Sequence, residues 1–96
     1  MKKIQLQLGD NGCGRFIFNE GDEKLGEMII SISEKELTVF HTEVIPEAEG
    51  KGIAKALLNE MVDYSRKNDL KVIALCTYVL AQFKRHPEQY LDIWQK

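Results

Sequence analysis

The sequence predicts an α/β domain with α+β character, in which a four-stranded antiparallel meander precedes a helix, a parallel strand and C-terminal helices. Two observations lead to this prediction. Between residues 4 and 44, four runs alternate apolar with polar side chains and are separated by short turns. From residue 52 the apolar period becomes that of a helix, and a β-branched run follows it. Ninety-six residues suffice for one hydrophobic core, so residues 1–96 are predicted to form a single domain.

The four alternating runs are the predicted strands. They cover residues 4–8, 15–19, 27–33 and 37–44, with turns at residues 9–12, 20–22 and 33–35. Because side chains on a strand alternate between the two faces, Leu37, Val39 and His41 are expected on one face of the fourth strand. Thr38, Phe40 and Thr42 are then expected on its opposite face.

The second half of the chain has helical periodicity on both sides of a short strand. The first helix is predicted from Gly52 to about Lys67, with one apolar stripe facing the sheet. Residues 72–76 suit an inner strand parallel to the fourth, reached by a right-handed connection. Thr77 is expected to cap a helix over residues 78–85, and Pro87 begins a last short turn. The apolar side chains that follow are expected to pack on the domain.

Composition narrows the function classes. A formal charge of −2 gives no general attraction to nucleic acid or anionic lipid, and no segment has the pattern of a signal peptide or membrane span. Cys13 and Cys76 lack the spacing of a metal site or a disulfide framework, so no metal is expected. We expect a cytoplasmic protein, monomeric or weakly dimeric.

The stretch between the fourth strand and the first helix predicts an anion site. Gly50 and Gly52 flank Lys51 immediately before the helix, where the first backbone amides lack helical partners and the helix dipole is positive. Glycines allow a sharp turn and a close approach of phosphate to those amides. Cys76 is predicted to end the neighbouring strand at the same edge of the sheet. A phosphate site beside a thiol suggests a ligand with the shape of coenzyme A.

Four segments together resemble a known family. The residues from Glu47 to Ala54 are similar to the acetyl-CoA motif of the GNAT superfamily of N-acetyltransferases, Gln/Arg-x-x-Gly-x-Gly/Ala. In order along the chain, HTEVIPE, EGKGIAKALL, LCTYV and KRHPEQY resemble the small single-domain GNAT-like acetyltransferases. The resemblance implies a GNAT-like fold and an enzyme that transfers acetyl from acetyl-CoA to an amine.

The resemblance also implies site residues. It places the pyrophosphate on the backbone amides of Glu49, Gly50, Lys51, Gly52, Ile53 and Ala54. It pairs the pantetheine arm with the backbone of Thr42, Glu43, Val44 and Ile45, and puts Phe83, Lys84 and Arg85 near the adenosine. Cys76 would lie beside the thioester, and His41, on the adjacent strand, is the second catalytic candidate. Cys76 could accept the acetyl group as a thiolate, or protonate the departing CoA sulfur as a thiol.

Other interpretations accompany these. A cysteine at a strand end is most often a small buried hydrophobe, and a strand histidine is often structural. Glu47 replaces the family's Gln or Arg, and the carboxylates at 47 and 49 repel a pyrophosphate, so backbone amides must carry its binding. The chain lacks room for the helices that usually wall the acceptor site, which leaves the amine unidentified. The alternatives are a non-catalytic CoA or acyl-CoA binding module and a structural domain without a ligand.

Overall fold

The computed structural model describes residues 3–96, which form a five-stranded sheet with helices packed on one face. The strands are β1 (Ile4–Leu8), β2 (Cys13–Glu20), β3 (Glu23–Ile32), β4 (Glu36–Val44) and β5 (Lys71–Ala74). A 3₁₀ turn at Pro46–Ala48 leads into α1 (Ile53–Lys67), and α2 (Thr77–Arg85) and α3 (Pro87–Tyr90) follow β5. The strand order is β1-β2-β3-β4-β5.

This topology confirms the predicted one. The first four strands pair antiparallel in a meander, and β5 pairs parallel to β4 after the α1 connection. The C-terminal segment packs on the domain as expected, because Trp94 forms a parallel bridge with Val72 and Ile93 is buried. The chain therefore closes its core with its last residues.

Several element boundaries differ from the sequence prediction. β2 and β3 extend up to a tight turn at Gly21, whose φ of 62° is the left-handed conformation that glycine adopts easily. β5 ends at Ala74 rather than at residue 76, because the amides of Leu75 and Cys76 both donate to the carbonyl of Val39. Cys76 is consequently the N-cap residue of α2, and Thr77 is the first helical residue rather than the cap.

One face of the sheet carries the core. Phe16, Met28, Ile30, Leu37 and Val72 pack in one cluster with the buried stripe of α1 and with apolar residues of α2 and α3. The α1 stripe comprises Ile53, Leu57, Leu58, Met61, Val62 and Ser65. The alternate residues of the strands lie on the other face, which we call the open face, because none of the three helices belongs to it.

A β-bulge in β4 decides which side chains reach each face. Val39 lies opposite Ile30 and His41 lies opposite Ile29, so Phe40 is an extra residue in β4. Before the bulge, odd-numbered residues face the core; after it, Thr42 and Val44 do. The predicted grouping of His41 with Leu37 and Val39 is therefore wrong, and His41 lies on the open face.

Candidate functional site

The turn before α1 is built around two glycines in left-handed conformation. Gly50 has φ 86° and Gly52, the N-cap residue of α1, has φ 81°. A Cβ at either position would meet no atom within 4 Å, so these glycines are needed for the backbone conformation and leave open space in front of it. The turn therefore offers its backbone directly to solvent or to a ligand.

Five amides of this turn have no backbone or side-chain acceptor among residues 3–96. They belong to Gly50, Gly52, Ile53, Ala54 and Lys55. The amides of Glu49 and Lys51, in contrast, donate to the carbonyls of Pro46 and Ala48 and help close the turn. Of the six amides implied by the sequence resemblance, four are thus free, and the amide of Lys55 was missed. The amide of Lys55 has no acceptor because the first amides of a helix lack a carbonyl one turn earlier.

These amides border an open cleft of about 270 Å³. The cleft is lined by the glycine turn and the start of α1 on one side, and by Val44 and Tyr78 on the other. The side chains of Thr42 and Cys76 contact each other. Val44 follows Thr42 by two residues along the chain, and Tyr78 follows Cys76 by two residues. The cleft thus reaches residues that are close to that pair along the chain, although neither Thr42 nor Cys76 lines it.

An opening between β4 and β5 continues the cleft. The two strands pair only from Glu36 with Lys71 to Val39 with Ala74, so residues 40–44 of β4 have no β5 partner. The amide of Ile45 donates to Leu25 of β3, and its carbonyl accepts from Ala48. Because alternate residues of an antiparallel strand direct their backbone groups to the same neighbour, Thr42 and Val44 direct theirs toward the opening. Glu43 directs its backbone groups, and Ile45 its amide, toward β3, so of the four residues predicted to pair with pantetheine only Thr42 and Val44 present their backbone to the opening.

Cys76 lies at the inner end of this opening. Its side chain is buried, and its Sγ is 3.3 Å from Oγ1 of Thr42, where either atom can be the hydrogen donor. Thr42 reaches the sulfur because the bulge turns its side chain to the helix face. A thiol held by a hydroxyl can donate a proton or be oriented for reaction, but the hydroxyl is not a base that would remove the thiol proton.

Tyr78 is a site residue that the sequence analysis missed. It lines the cleft from the first turn of α2, and burial raises its pKa, with further contributions from Tyr90 and Cys76. Since an ordinary tyrosine already titrates near pH 10, the raised pKa keeps the phenol protonated at neutral pH. The sequence could have indicated Tyr78, because it follows Cys76 by two residues and begins a helix at the sheet edge where Cys76 was predicted.

A model of the GCN5-related N-acetyltransferase family matches residues 15–93 of the chain. The chain belongs to this family. It is also 36% identical over 92 residues to Protein NATD1 of Xenopus tropicalis, covering 95% of this chain and 77% of that protein. Identity to Protein NATD1 of Gallus gallus is 34% over 93 residues, with 95% and 76% covered.

Solved structures agree with the family in fold. An NMR structure of a GCN5-like candidate N-acetyltransferase from Staphylococcus aureus superimposes with a TM-score of 0.69 at 27% identity, covering 99% of this chain and 91% of that one. A ribosomal-protein-alanine N-acetyltransferase from Brucella melitensis gives a TM-score of 0.66 at 21% identity, covering 91% and 64%. The predicted GNAT-like fold is therefore confirmed.

In this family member, the two residues chosen as catalytic candidates lie apart. His41 is on the open face, where its Nε2 is 3.3 Å from a carboxylate oxygen of Glu43 and both side chains are largely exposed. Cys76 bonds Thr42 on the helix face. His41 and Thr42 are consecutive residues of β4 and therefore lie on opposite faces, and the bulge at Phe40 gives the helix face to Thr42.

The three residues predicted to lie near the adenosine differ in their exposure. Phe83 has no exposed surface and packs its ring against Tyr90 and Trp94, with centroids 4.6 and 5.6 Å away. It is a core residue, and its predicted place near the adenosine stays a prediction. Lys84 and Arg85 are exposed in the last turn of α2, where cations also suit the negative end of the helix dipole.

The described residues contain neither a membrane-spanning helix nor a cluster of metal ligands. Within residues 3–96, no helix has both the length and the apolar character needed to cross a bilayer. The same residues contain no group of three or more His, Cys, Asp or Glu side chains placed to hold a metal ion.

Proposed function

We propose that this GCN5-related family member is an acetyl-CoA-dependent N-acetyltransferase that acetylates a primary amine. The observation that carries the proposal is the set of five free amides in the turn before α1, which border a cleft that Val44 and Tyr78 also line. Amides at a helix N-terminus are suited to phosphate oxygens through hydrogen bonds and the helix dipole. The membership in the family supports acetyl-CoA as the ligand.

In this proposal the ligand follows the cleft from phosphate to thioester. The free amides would bind the pyrophosphate, and the backbone of Thr42 and Val44 would pair with the pantetheine arm, since it faces the opening. The thioester would then lie beside Cys76 and Thr42. Lys84 and Arg85 are proposed for the adenosine end because both are exposed.

The position of Cys76 favours direct transfer over a covalent acetyl-cysteine. Its hydrogen-bond partner among residues 3–96 is the Thr42 hydroxyl, and His41 lies on the other face. The neutral amine nitrogen would bond to the acetyl carbon, the carbon–sulfur bond would break, and the CoA sulfur would take a proton from a donor. The new amide nitrogen would release one proton, which restores that donor. Cys76 is the proposed donor, and the protonated phenol of Tyr78 is the second candidate.

The test compares Cys76→Ala with Tyr78→Phe and with Cys13→Ala, whose cysteine is exposed in β2. CoA thiol release with an amine panel is measured, and CoA binding is followed by thermal stability. Cys76→Ala is expected to lower kcat at least about 100-fold while CoA still binds, which is the size of a general-acid contribution. Cys13→Ala should behave as wild type.

Unchanged turnover in Cys76→Ala would remove this thiol from the mechanism. A loss confined to Tyr78→Phe would assign the proton to the phenol. Mass measurement after acid quenching separates the two chemistries of Cys76, because a covalent acetyl adduct that forms and disappears at the turnover rate would contradict direct transfer.

A CoA-binding module without transfer is the second candidate. The open face favours it, because none of the helices α1 to α3 covers the side from which an acceptor would approach. Binding of CoA without thiol release from any amine would support the module. A ligand at 100 times its Kd stabilises a protein by about 2.7 kcal/mol, so thermal shift readily distinguishes both candidates from a domain that binds nothing.

A further inference from the structure

The side chains of Thr42 and Cys76 meet across the opening between β4 and β5. Thr42 belongs to the part of β4 that has no β5 partner, and Cys76 is the N-cap residue of α2, which follows β5. Oγ1 of Thr42 is 3.3 Å from Sγ of Cys76. Among residues 3–96, each of these atoms has the other as its one hydrogen-bond partner. The two side chains therefore form an isolated hydrogen-bonded pair.

This pair holds two exchangeable hydrogens, and the contact within it uses one of them. A hydroxyl and a thiol each carry one hydrogen, and each can also accept a hydrogen bond. If Cys76 donates to Thr42, the hydroxyl hydrogen is left over. If Thr42 donates to Cys76, the thiol hydrogen is left over. In both arrangements the pair keeps one hydrogen that can be donated to a third group.

The hydroxyl is the better placed of the two groups to donate that hydrogen to a ligand. Cys76 is only 4% exposed, whereas Thr42 is half-buried and its backbone groups face the opening. A thiol is also a weak hydrogen-bond donor, so a ligand with a strong acceptor favours the hydroxyl. The thiol, in contrast, is a much stronger acid than an alcohol. Thr42 is therefore suited to contact the ligand, and Cys76 is suited to supply the proton.

We infer that Thr42 is a catalytic residue, whose hydroxyl passes the proton of Cys76 to the departing CoA sulfur. As the carbon–sulfur bond breaks, its electron pair stays on sulfur, which takes the hydroxyl proton while Oγ1 takes the thiol proton. The thiolate left on Cys76 would then take the proton that the new amide nitrogen releases, which restores the pair. This inference rests on the proposed acetyl transfer, because it assigns a role in that same reaction.

Thr42→Val tests the hydroxyl with little change of shape. Valine is branched at Cβ like threonine and suits a strand, so the fold and CoA binding should be retained. The kcat of acetyl transfer is expected to fall at least about tenfold, because proton donation to a leaving group contributes at least that much. Thr42→Ser keeps a hydroxyl and should recover kcat to within about threefold of wild type.

Thr38→Val is the matched control for this substitution. Thr38 is also a half-buried threonine of β4, but it lies on the open face, opposite Ser31 and beside Ile73. The same change of hydroxyl to methyl at this position should leave kcat as in wild type.

A double-mutant cycle tests whether Thr42 acts together with Cys76. If the hydroxyl passes on the thiol proton, Thr42→Val should change kcat by less than about twofold in a Cys76→Ala background. Independent roles would instead make the two losses multiply. The assay uses acetyl-CoA with the amine of the panel that wild type acetylates fastest, and titration with CoA gives the Kd of every variant.

The outcomes distinguish the two proposals. Wild-type kcat in Thr42→Val, no recovery in Thr42→Ser, or losses that multiply in the double variant would each overturn this inference while leaving acetyl transfer intact. A weaker Kd for CoA with unchanged kcat would also overturn it, because the hydroxyl would then bind the ligand without passing a proton. Thiol release from no amine in wild type would overturn acetyl transfer itself, and the role of Thr42 with it.

Discussion

Alanine at Gly50 or Gly52 separates the folding role of the glycine turn from its binding role. Both glycines have left-handed φ and open space around the position of a Cβ. The substitution therefore introduces backbone strain without a clash, at a cost of about 1 kcal/mol. For a domain of this size that corresponds to a decrease in Tm of roughly 4–8 °C.

Gly21→Ala is the matched control for this strain. Gly21 also has a left-handed φ, of 62°, and no atom within 4 Å of a Cβ, but it lies in the β2–β3 hairpin turn. All three variants should therefore lose similar stability. Only those at 50 and 52 add a methyl group to the turn that carries the free amides.

The expected loss of CoA binding free energy is larger than the energy of the backbone strain. If the methyl group keeps one phosphate oxygen from an amide, the lost charge-assisted hydrogen bond weakens binding by about 1.5–3 kcal/mol, or roughly 10- to 100-fold in Kd. Calorimetric titration with CoA measures this, and thermal unfolding measures the strain. If Gly50→Ala and Gly52→Ala bind CoA as tightly as Gly21→Ala, the assignment of these amides to phosphate is refuted.

Two further predictions concern stability. Phe83→Ala should lower the free energy of unfolding by about 3–5 kcal/mol, because Phe83 is fully buried between Tyr90 and Trp94. Urea unfolding measures this loss. A variant of unchanged stability with weakened CoA binding would show that the ring contacts the ligand instead. The Lys24 hydrogen bond, together with Arg15, lowers the pKa of Glu27. Because the pKa of Glu27 is lower in the folded state, its ionised carboxylate stabilises the fold at pH values above the unfolded-state pKa of roughly 4.3. This contribution disappears as the pH falls through the pKa of the folded state. Glu27→Gln should therefore cost about 1 kcal/mol or less at pH 7 and nothing at about pH 2; a pH-independent difference would contradict the ion-pair origin.

The sequence predicted the fold well because its signals are local and repeated. Alternation over several residues and a long helical stripe survive packing, so the meander, α1 and the parallel β5 were all predictable. Strand ends were less predictable. The extension of β2 and β3 to Gly21 depends on a tight turn, and the end of β5 depends on hydrogen bonds to Val39.

The site was predicted in part. The glycine turn was visible because Gly50 and Gly52 are required by their backbone angles, but only the structure shows which amides are free. Phe83 is a core residue in the structure, whereas the family resemblance suggested a place near the adenosine for it. The bulge left one trace in the sequence: apolar residues occupy odd positions at Leu37 and Val39 but an even position at Val44.

That single inserted residue shapes β4 without deciding the pairing of its neighbours. Removing Phe40 would restore regular pleating and keep His41 opposite Ile29 and Thr42 opposite Met28, so the thiol of Cys76 would keep its hydroxyl partner. The deletion would take away the local bend of the strand and one large exposed apolar side chain. We therefore expect this protein to tolerate the loss of position 40 with Thr42 still beside the sulfur.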